Sequence, residues 1–262
     1  MPPGPAFNLC NLPPWAIASV HFNDNPQRLE VQGVRHDNRR LFARLATIPD
    51  AAERAHVFHD YLSVKFQLHH WEEESTSSAR ASIKSSYLRY LRGWGVDSSS
   101  IEGAVLKGWV ESRIGLWPNF HKQPIGGPRD EAYMAYLVDR MNGSTRTNAI
   151  FSQLDLVFEF AQDELERLNP GERWVTLYRG VNDVREEDVL AREGKRDLVV
   201  RTNNLCSFTH DKERAWEFGN TVWSARVPLA RVFFFSGLFP SSLLRGEEEY
   251  LVIGGEIRVH RL

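Results

Sequence analysis

The chain has 262 residues, with 32 basic against 34 acidic side chains for a formal net charge of −2, and 42% hydrophobic, 25% charged and 11% aromatic residues. That is ordinary globular composition in a chain long enough to bury a sizeable core, and it excludes disorder, a collagen and a disulfide scaffold. The near-neutral balance leaves no general electrostatic footprint for nucleic acid or a membrane surface, so neither is expected as a partner.

In chain order, Met1 to Pro14 lacks the basic start and apolar stretch of a signal peptide, and Pro2, Pro3, Pro5, Pro13 and Pro14 argue against early helix. From about Asn38 to Leu168 the apolar spacing is mostly helical, as in Leu41, Leu45, Ile48 and in Val57, Tyr61, Leu62, Phe66. Asp50 with Glu53 forms a capping box, and Leu88, Leu91 and Trp94 predict a helix that Gly93 and Gly95 would end. Further helices are predicted over Ser99–Ile114, Arg129–Met141 and Asn148–Leu168, and Asn169-Pro170-Gly171 is a stop signal. After Pro170 the texture changes to short β-branched or aromatic runs between turn residues. These are Trp174–Tyr178, Asp197–Arg201, Leu205–Phe208, Thr221–Val227, Val232–Phe235, Tyr250–Ile253 and Glu256–His260. One helix interrupts them, capped by Asp211 and stopped by Gly219, with Ala215, Trp216 and Phe218 expected to face inward. The predicted fold class is α+β: a mainly helical section over 1–170, then a β-rich section over 171–262, packed as one compact unit.

Few residues suggest metal chemistry. His69 and Glu73 stand at i, i+4, but they sit in a charge run that reads more simply as a solvated helix end. Gly126-Gly127 lacks the Rossmann pattern, and there is no HExxH, EF-hand loop, Walker A motif or GxSxG elbow, so no metal is expected. Cys10 and Cys206 stand far apart with no CxxC pair, which points to the reducing cytoplasm. The densest apolar run, Val232–Phe235, is far too short to cross a bilayer.

Three features in the β-rich section stand in a suggestive order. Arg179-Gly180 closes an apolar strand, where arginine can clamp a phosphate with its planar fork and glycine lets a ligand approach the backbone. Ser207-Phe208-Thr209 places two hydroxyls on one strand face. Glu247 and Glu249 would share a face of the strand entering Tyr250–Ile253, with Glu248 pointing away. Two carboxylates on one face repel, which raises the pKa of at least one and suits acid–base work. Each feature alone also reads as an ion pair, a half-exposed strand or a solvated acidic turn; the conjunction carries the argument.

Arg179, then Ser207-x-Thr209, then Glu247-x-Glu249 before an apolar strand resembles the ADP-ribosyltransferases of the R-S-E class. The centre of the serine motif is Phe208, where toxins of the class commonly carry threonine. The long helical section, Leu177–Val181 and Arg245–Gly255 are most similar to the branch that acts on the nitrogenase iron protein.

The resemblance implies a split β-sandwich core and NAD⁺ as substrate, the ADP-ribose donor. Arg179 would hold the NAD⁺ phosphates, the Gly180 backbone would bond the nicotinamide amide, and Ser207 would orient Glu249, with Thr209 supporting the strand. Glu249 would bond the 2′-OH of the nicotinamide ribose, and Glu247 would position the target guanidinium, the E-x-E pattern implying arginine as acceptor. The nitrogenase iron protein is implied as protein substrate, and a PII-type nitrogen-signalling protein as activator. The segment Ser236–Gly246, with Phe239 exposed, reads as a mobile loop for the acceptor or as an ordinary connection. Two alternatives share the same residues: an NAD⁺ glycohydrolase with water as acceptor, and a non-catalytic regulator that binds NAD or ADP-ribose.

Overall fold

The structure, a computed structural model, describes residues 7–68, 86–145, 147, 149–182, 189–241 and 248–262. His69, Glu73 and Glu247 therefore lie outside the described residues. Helices come first: α1 (Pro14–Ile17), α2 (Val20–Asp24), α3 (Val34–Asp37), α4 (Arg39–Ala46), α5 (Ala51–Lys65), α6 (Tyr87–Val96) and α7 (Ile101–Arg113). A two-stranded hairpin, β1 (Phe120–His121) and β2 (Gln123–Pro124), precedes α8 (Glu131–Ser144) and α9 (Ile150–Leu168). The local chemistry explains the starts. Asp50, Ser100, Asp130 and Asp211 each accept a backbone N–H of the first turn that follows, giving an orphan donor its partner.

Two readings of the helical section change. Pro13 and Pro14 do not delay helix formation: Pro14 opens α1 at a position whose N–H has no intrahelical partner, so proline costs nothing there. Gly93 and Gly95 lie inside α6 rather than ending it. A Cβ on Gly93 would stand 2.5 Å from the Glu102 Cβ, so glycine lets α6 close onto α7.

The rest of the chain builds β3 (Trp174–Val181), β4 (Val189–Arg192), β5 (Asp197–Arg201), β6 (Leu205–Thr209), α10 (Lys212–Glu217), β7 (Thr221–Pro228), β8 (Val232–Phe235), β9 (Glu249–Ile253) and β10 (Glu256–Arg261). These eight strands form one antiparallel sheet in the order β4-β5-β10-β7-β3-β6-β9-β8. The architecture is α+β. β3 pairs with β7 over eight residues, Trp174 with Pro228 through Val181 with Thr221. With β6 it pairs at one position, Tyr178 with Thr209. Beyond that point β3 and β6 part, and the sheet has a seam.

α9 is the hub of the packing. Its apolar periodicity implies a single inward face, yet residues all round it are buried, Gln153 and Glu159 completely. The sequence tolerates this because each buried polar group finds a partner. Gln153 accepts the Tyr87 amide at 3.0 Å, and Asp155 accepts Trp109 Nε1 and the Arg113 fork at 2.8–2.9 Å. Glu159 accepts the Val31 amide at 2.9 Å and Arg35 Nε at 2.6 Å, and Gln162 donates to the Val232 carbonyl at 2.8 Å. Glu164 receives Arg54 through two 2.6 Å bonds. Apolar contacts fill the space between: Phe160 stacks on Phe58 at 4.3 Å, and Phe233 of β8 meets Trp109 at 4.8 Å. One hydrophobic cluster thus runs from Cys10 to Val259.

Phe239 is buried among Phe58, Tyr87, Phe160 and Phe234, not exposed on a loop, because the 3₁₀ turn Ser236–Leu238 directs it into this cluster. On the short α10 only Ala215 faces inward, while Trp216 and Phe218 are 40% and 58% exposed. A helix this short covers one small patch, and the close approach described below leaves no room for two rings.

Candidate active site

The site forms at the seam. Arg179, near the end of β3, lies opposite Trp223 of β7 and reaches across to donate from Nη1 to the Ser207 carbonyl at 2.6 Å. Its guanidinium also stands 6.0 Å from the centre of the Phe208 ring. Phe208 thus backs the arginine with an apolar surface. Gly180 comes against α10: a Cβ there would stand 2.1 Å from the Ala215 carbonyl oxygen. Gly219, just after α10, faces the same strand, with a Cβ position 2.3 Å from the Val181 nitrogen. Both glycines are demanded by backbone lying on backbone.

β6 and β9 pair in register, Ser207 with Leu251 and Thr209 with Glu249. Ser207 donates from Oγ to Glu249 Oε1 at 2.5 Å. Thr209 is buried and behaves differently: its Oγ1 accepts the Asp211 amide at 3.1 Å, shaping the turn into α10. The two hydroxyls therefore do separate jobs, one on the carboxylate and one on the strand end. Glu248 is exposed with a φ of +39°, and the extended backbone of β9 begins at Glu249. Of the expected site residues, Arg179, Gly180, Ser207, Thr209 and Glu249 gather at this seam, and Glu247 falls outside the described residues.

Sequence reasoning missed Trp94. This buried α6 residue donates from Nε1 to Ser207 Oγ at 2.9 Å and to Glu249 Oε1 at 3.2 Å. Its helical spacing with Leu88 and Leu91 marks a core position and says nothing of the indole N–H.

A cavity of about 750 Å³ opens beside the seam, lined among others by Trp15, Trp94, Trp117, Arg179, Arg201 and Ser207. Trp94 and Ser207, which donate to the Glu249 carboxylate, are on its wall; Glu249 itself is not among the lining residues and is half-buried. Buried polar groups stand behind the lining residues. Lys107, fully covered, donates to the Phe120 carbonyl at 3.0 Å, and burial pushes its amine down to about 8. Asn204 ties the Lys107 and Leu116 carbonyls together with two 2.9 Å bonds. Arg231, also completely buried, donates to the carbonyls of Ile17, Ser19 and Glu256, fixing the α1–α2 segment to the sheet beside the cavity.

Both thiols, Cys10 and Cys206, are buried and unpaired, and burial pushes each up, away from nucleophilic character. Among the described residues no three His, Cys, Asp or Glu side chains cluster to hold a metal ion, and no helix is long and apolar enough to cross a membrane. What the arrangement offers is a cation beside a cavity of small-ligand size, and a carboxylate held by two donors at its rim.

Comparison with known proteins adds to this geometry. The family described as dinitrogenase reductase ADP-ribosyltransferase matches residues 7–261. The chain is 42% identical over 260 residues to NAD(+)–dinitrogen-reductase ADP-D-ribosyltransferase of Rhodospirillum rubrum, covering 98% of this chain and 94% of that protein. No solved structure is significantly similar to it.

Proposed function

The chain belongs to the dinitrogenase reductase ADP-ribosyltransferase family, and from that premise we propose that it transfers ADP-ribose from NAD⁺ to an arginine of the nitrogenase iron protein, releasing nicotinamide. The observation that carries the reading is the Ser207–Glu249 bond at 2.5 Å, set beside Arg179 at the cavity wall. The relative's name supplies NAD⁺ and dinitrogen reductase; arginine as acceptor rests on the Glu247-x-Glu249 pattern.

The roles follow from chemistry. Arg179 pairs with the NAD⁺ pyrophosphate, for which a planar fork of donors is suited. The backbone at Gly180 meets the nicotinamide amide, on the side of the strand away from α10, which occupies the place a Cβ would take. Glu249, oriented by Ser207, bonds the ribose 2′-OH and stabilises the positive charge that grows on the sugar as the C1′–N1 bond breaks. Nicotinamide leaves with the bonding electron pair and becomes neutral, so no strong acid is required. A guanidinium nitrogen of the acceptor then attacks C1′ and loses its proton to a carboxylate, the role assigned to Glu247. Thr209 supports the strand through its bond to Asp211.

The single-pair junction between β3 and β6 supports reading the sheet as two halves, the split sandwich of this class. A PII-type protein as activator and the cytoplasm as compartment complete the proposal; two buried, unpaired thiols agree with a reducing compartment.

The test is incubation with labelled NAD⁺, purified nitrogenase iron protein and the activator, followed by mapping of the modified residue. Label on one arginine, abolished by Glu249→Gln, is the expected result. No label on arginine, or full transfer by Glu249→Gln, overturns the reading. Nicotinamide release that ignores the iron protein would instead favour the glycohydrolase.

A further inference from the structure

We propose that Trp94 is a positioning residue of this site: its indole N–H holds Ser207 and Glu249 together, so the helical section supplies part of the geometry for turnover. The inference rests on the reading of Glu249 given above. An indole N–H can only donate, and here one donor serves two acceptors, Ser207 Oγ at 2.9 Å and Glu249 Oε1 at 3.2 Å. The serine in turn gives its own proton to the same Oε1 at 2.5 Å. The three groups form a closed triangle, and none can rotate without losing a bond to the other two.

The indole is itself rigidly aimed. Arg89 of α6 binds Glu102 of α7 at 2.8 and 2.6 Å, and Tyr90 donates to the Gly143 carbonyl of α8 at 2.9 Å. The glycines on either side of Trp94 serve opposite contacts. Gly93 admits α7, as its Cβ position 2.5 Å from Glu102 requires. Gly95 faces the carboxylate, its Cβ position 3.9 Å from Glu249 Oε2. The last turn of α6 therefore lies against Glu249, and Lys107 Nζ, 5.8 Å from the Trp94 ring centre, closes the other side of the indole. A tryptophan needed only to fill the core would not require its polar edge at the Glu249 carboxylate.

Because Trp94 acts on the carboxylate and Arg179 on the phosphates, the proposal separates turnover from binding. Trp94→Phe keeps the ring and removes the N–H. With the iron protein as acceptor it should lower kcat about 10- to 100-fold, the worth of a hydrogen bond to a charged group, with KM for NAD⁺ within about 2-fold of wild type. Combined with Ser207→Ala it should add little to the loss from Ser207→Ala alone, since both act through Oε1. A kcat within about 2-fold of wild type, a loss confined to KM, or fully additive losses would overturn it. Should Trp94→Phe fail to fold, tryptophan-labelled wild type and Glu249→Gln decide by NMR: the Trp94 indole N–H is expected exchange-protected and shifted by the substitution, and an unshifted, rapidly exchanging signal refutes the contact. Glu249→Gln assayed in parallel separates the two readings. If it stays active, the assignment of Glu249 falls; if it is inactive while Trp94→Phe is normal, only the role of Trp94 falls.

Discussion

Gly180→Ala is the sharpest perturbation the fold allows, because it adds one methyl group where there is no space. The new Cβ would stand 2.1 Å from the Ala215 carbonyl oxygen and 2.9 Å from both the Gly219 nitrogen and the Phe218 carbonyl carbon. All three are backbone atoms, so no side chain can swing aside. Reaching even a tight 3.0 Å contact needs roughly 0.9 Å of separation between β3 and α10, and overpacking of this kind costs about 1–3 kcal/mol. For a chain of this length each kcal/mol lowers Tm by about 2–4 °C, so a drop of roughly 2–12 °C is expected in a circular-dichroism melt. The displacement also moves the backbone next to Arg179, and a misplacement near 1 Å is worth about 100-fold in rate. NAD⁺ turnover should therefore fall well beyond what the lost stability explains at a temperature where the variant is folded. Gly171→Ala is the control: φ is +82° but nothing lies within 4 Å, so only local strain of about 1 kcal/mol applies and turnover should not change. Gly180→Ala with a wild-type melting point and wild-type turnover would refute the packing argument.

Two further predictions concern the helical section. Arg54 gives two 2.6 Å bonds to Glu164 and two more to the Ile48 and Pro49 carbonyls, so Arg54→Ala strands a buried carboxylate and should cost about 3–5 kcal/mol in urea unfolding. Adding Glu164→Ala should recover part of that loss, and a double variant as unstable as the sum of the singles contradicts the pairing. Lys107 is pushed down from 10.5 to about 8 by burial, so between those pH values the unfolded chain holds a proton the folded chain has released, and stability rises with pH across that window. Below pH 8 the buried charge costs up to about 3 kcal/mol. Lys107→Met should therefore gain on wild type at pH 7 and lose that advantage near pH 10, and a stability difference independent of pH would count against it.

The strands that carry the site were legible because their signals are local. Arg179, Ser207 and Glu249 each lie on or beside a short apolar run between turn residues, and it is the resemblance of their order to the R-S-E pattern that relates them. Trp94 was not legible, because its partners lie 113 and 155 positions away and its own neighbours describe only a packed helix. The same holds for α9, whose Asp155, Glu159 and Glu164 are buried against Arg113, Arg35 and Arg54 from distant parts of the chain. Phe239 was misjudged for the converse reason: a Gly- and Pro-rich segment suggests exposure, but four rings from distant elements receive it. Periodicity reports which face is apolar, not whether polar groups on the other face have found charges to meet.

The bonds around α9 also limit how the molecule can respond to anything that touches its surface. Pulling that helix free would break the Asp155, Glu159 and Glu164 ion pairs and expose Leu154, Leu156, Phe158, Phe160 and Leu165, each worth about 1.5–3 kcal/mol of burial, against the roughly 5–15 kcal/mol that holds a folded domain. No half-open form with α9 released is affordable. The outer helices therefore meet the seam as one rigid layer, joined to it through α6, which bonds α7 and α8 on one side and Glu249 on the other.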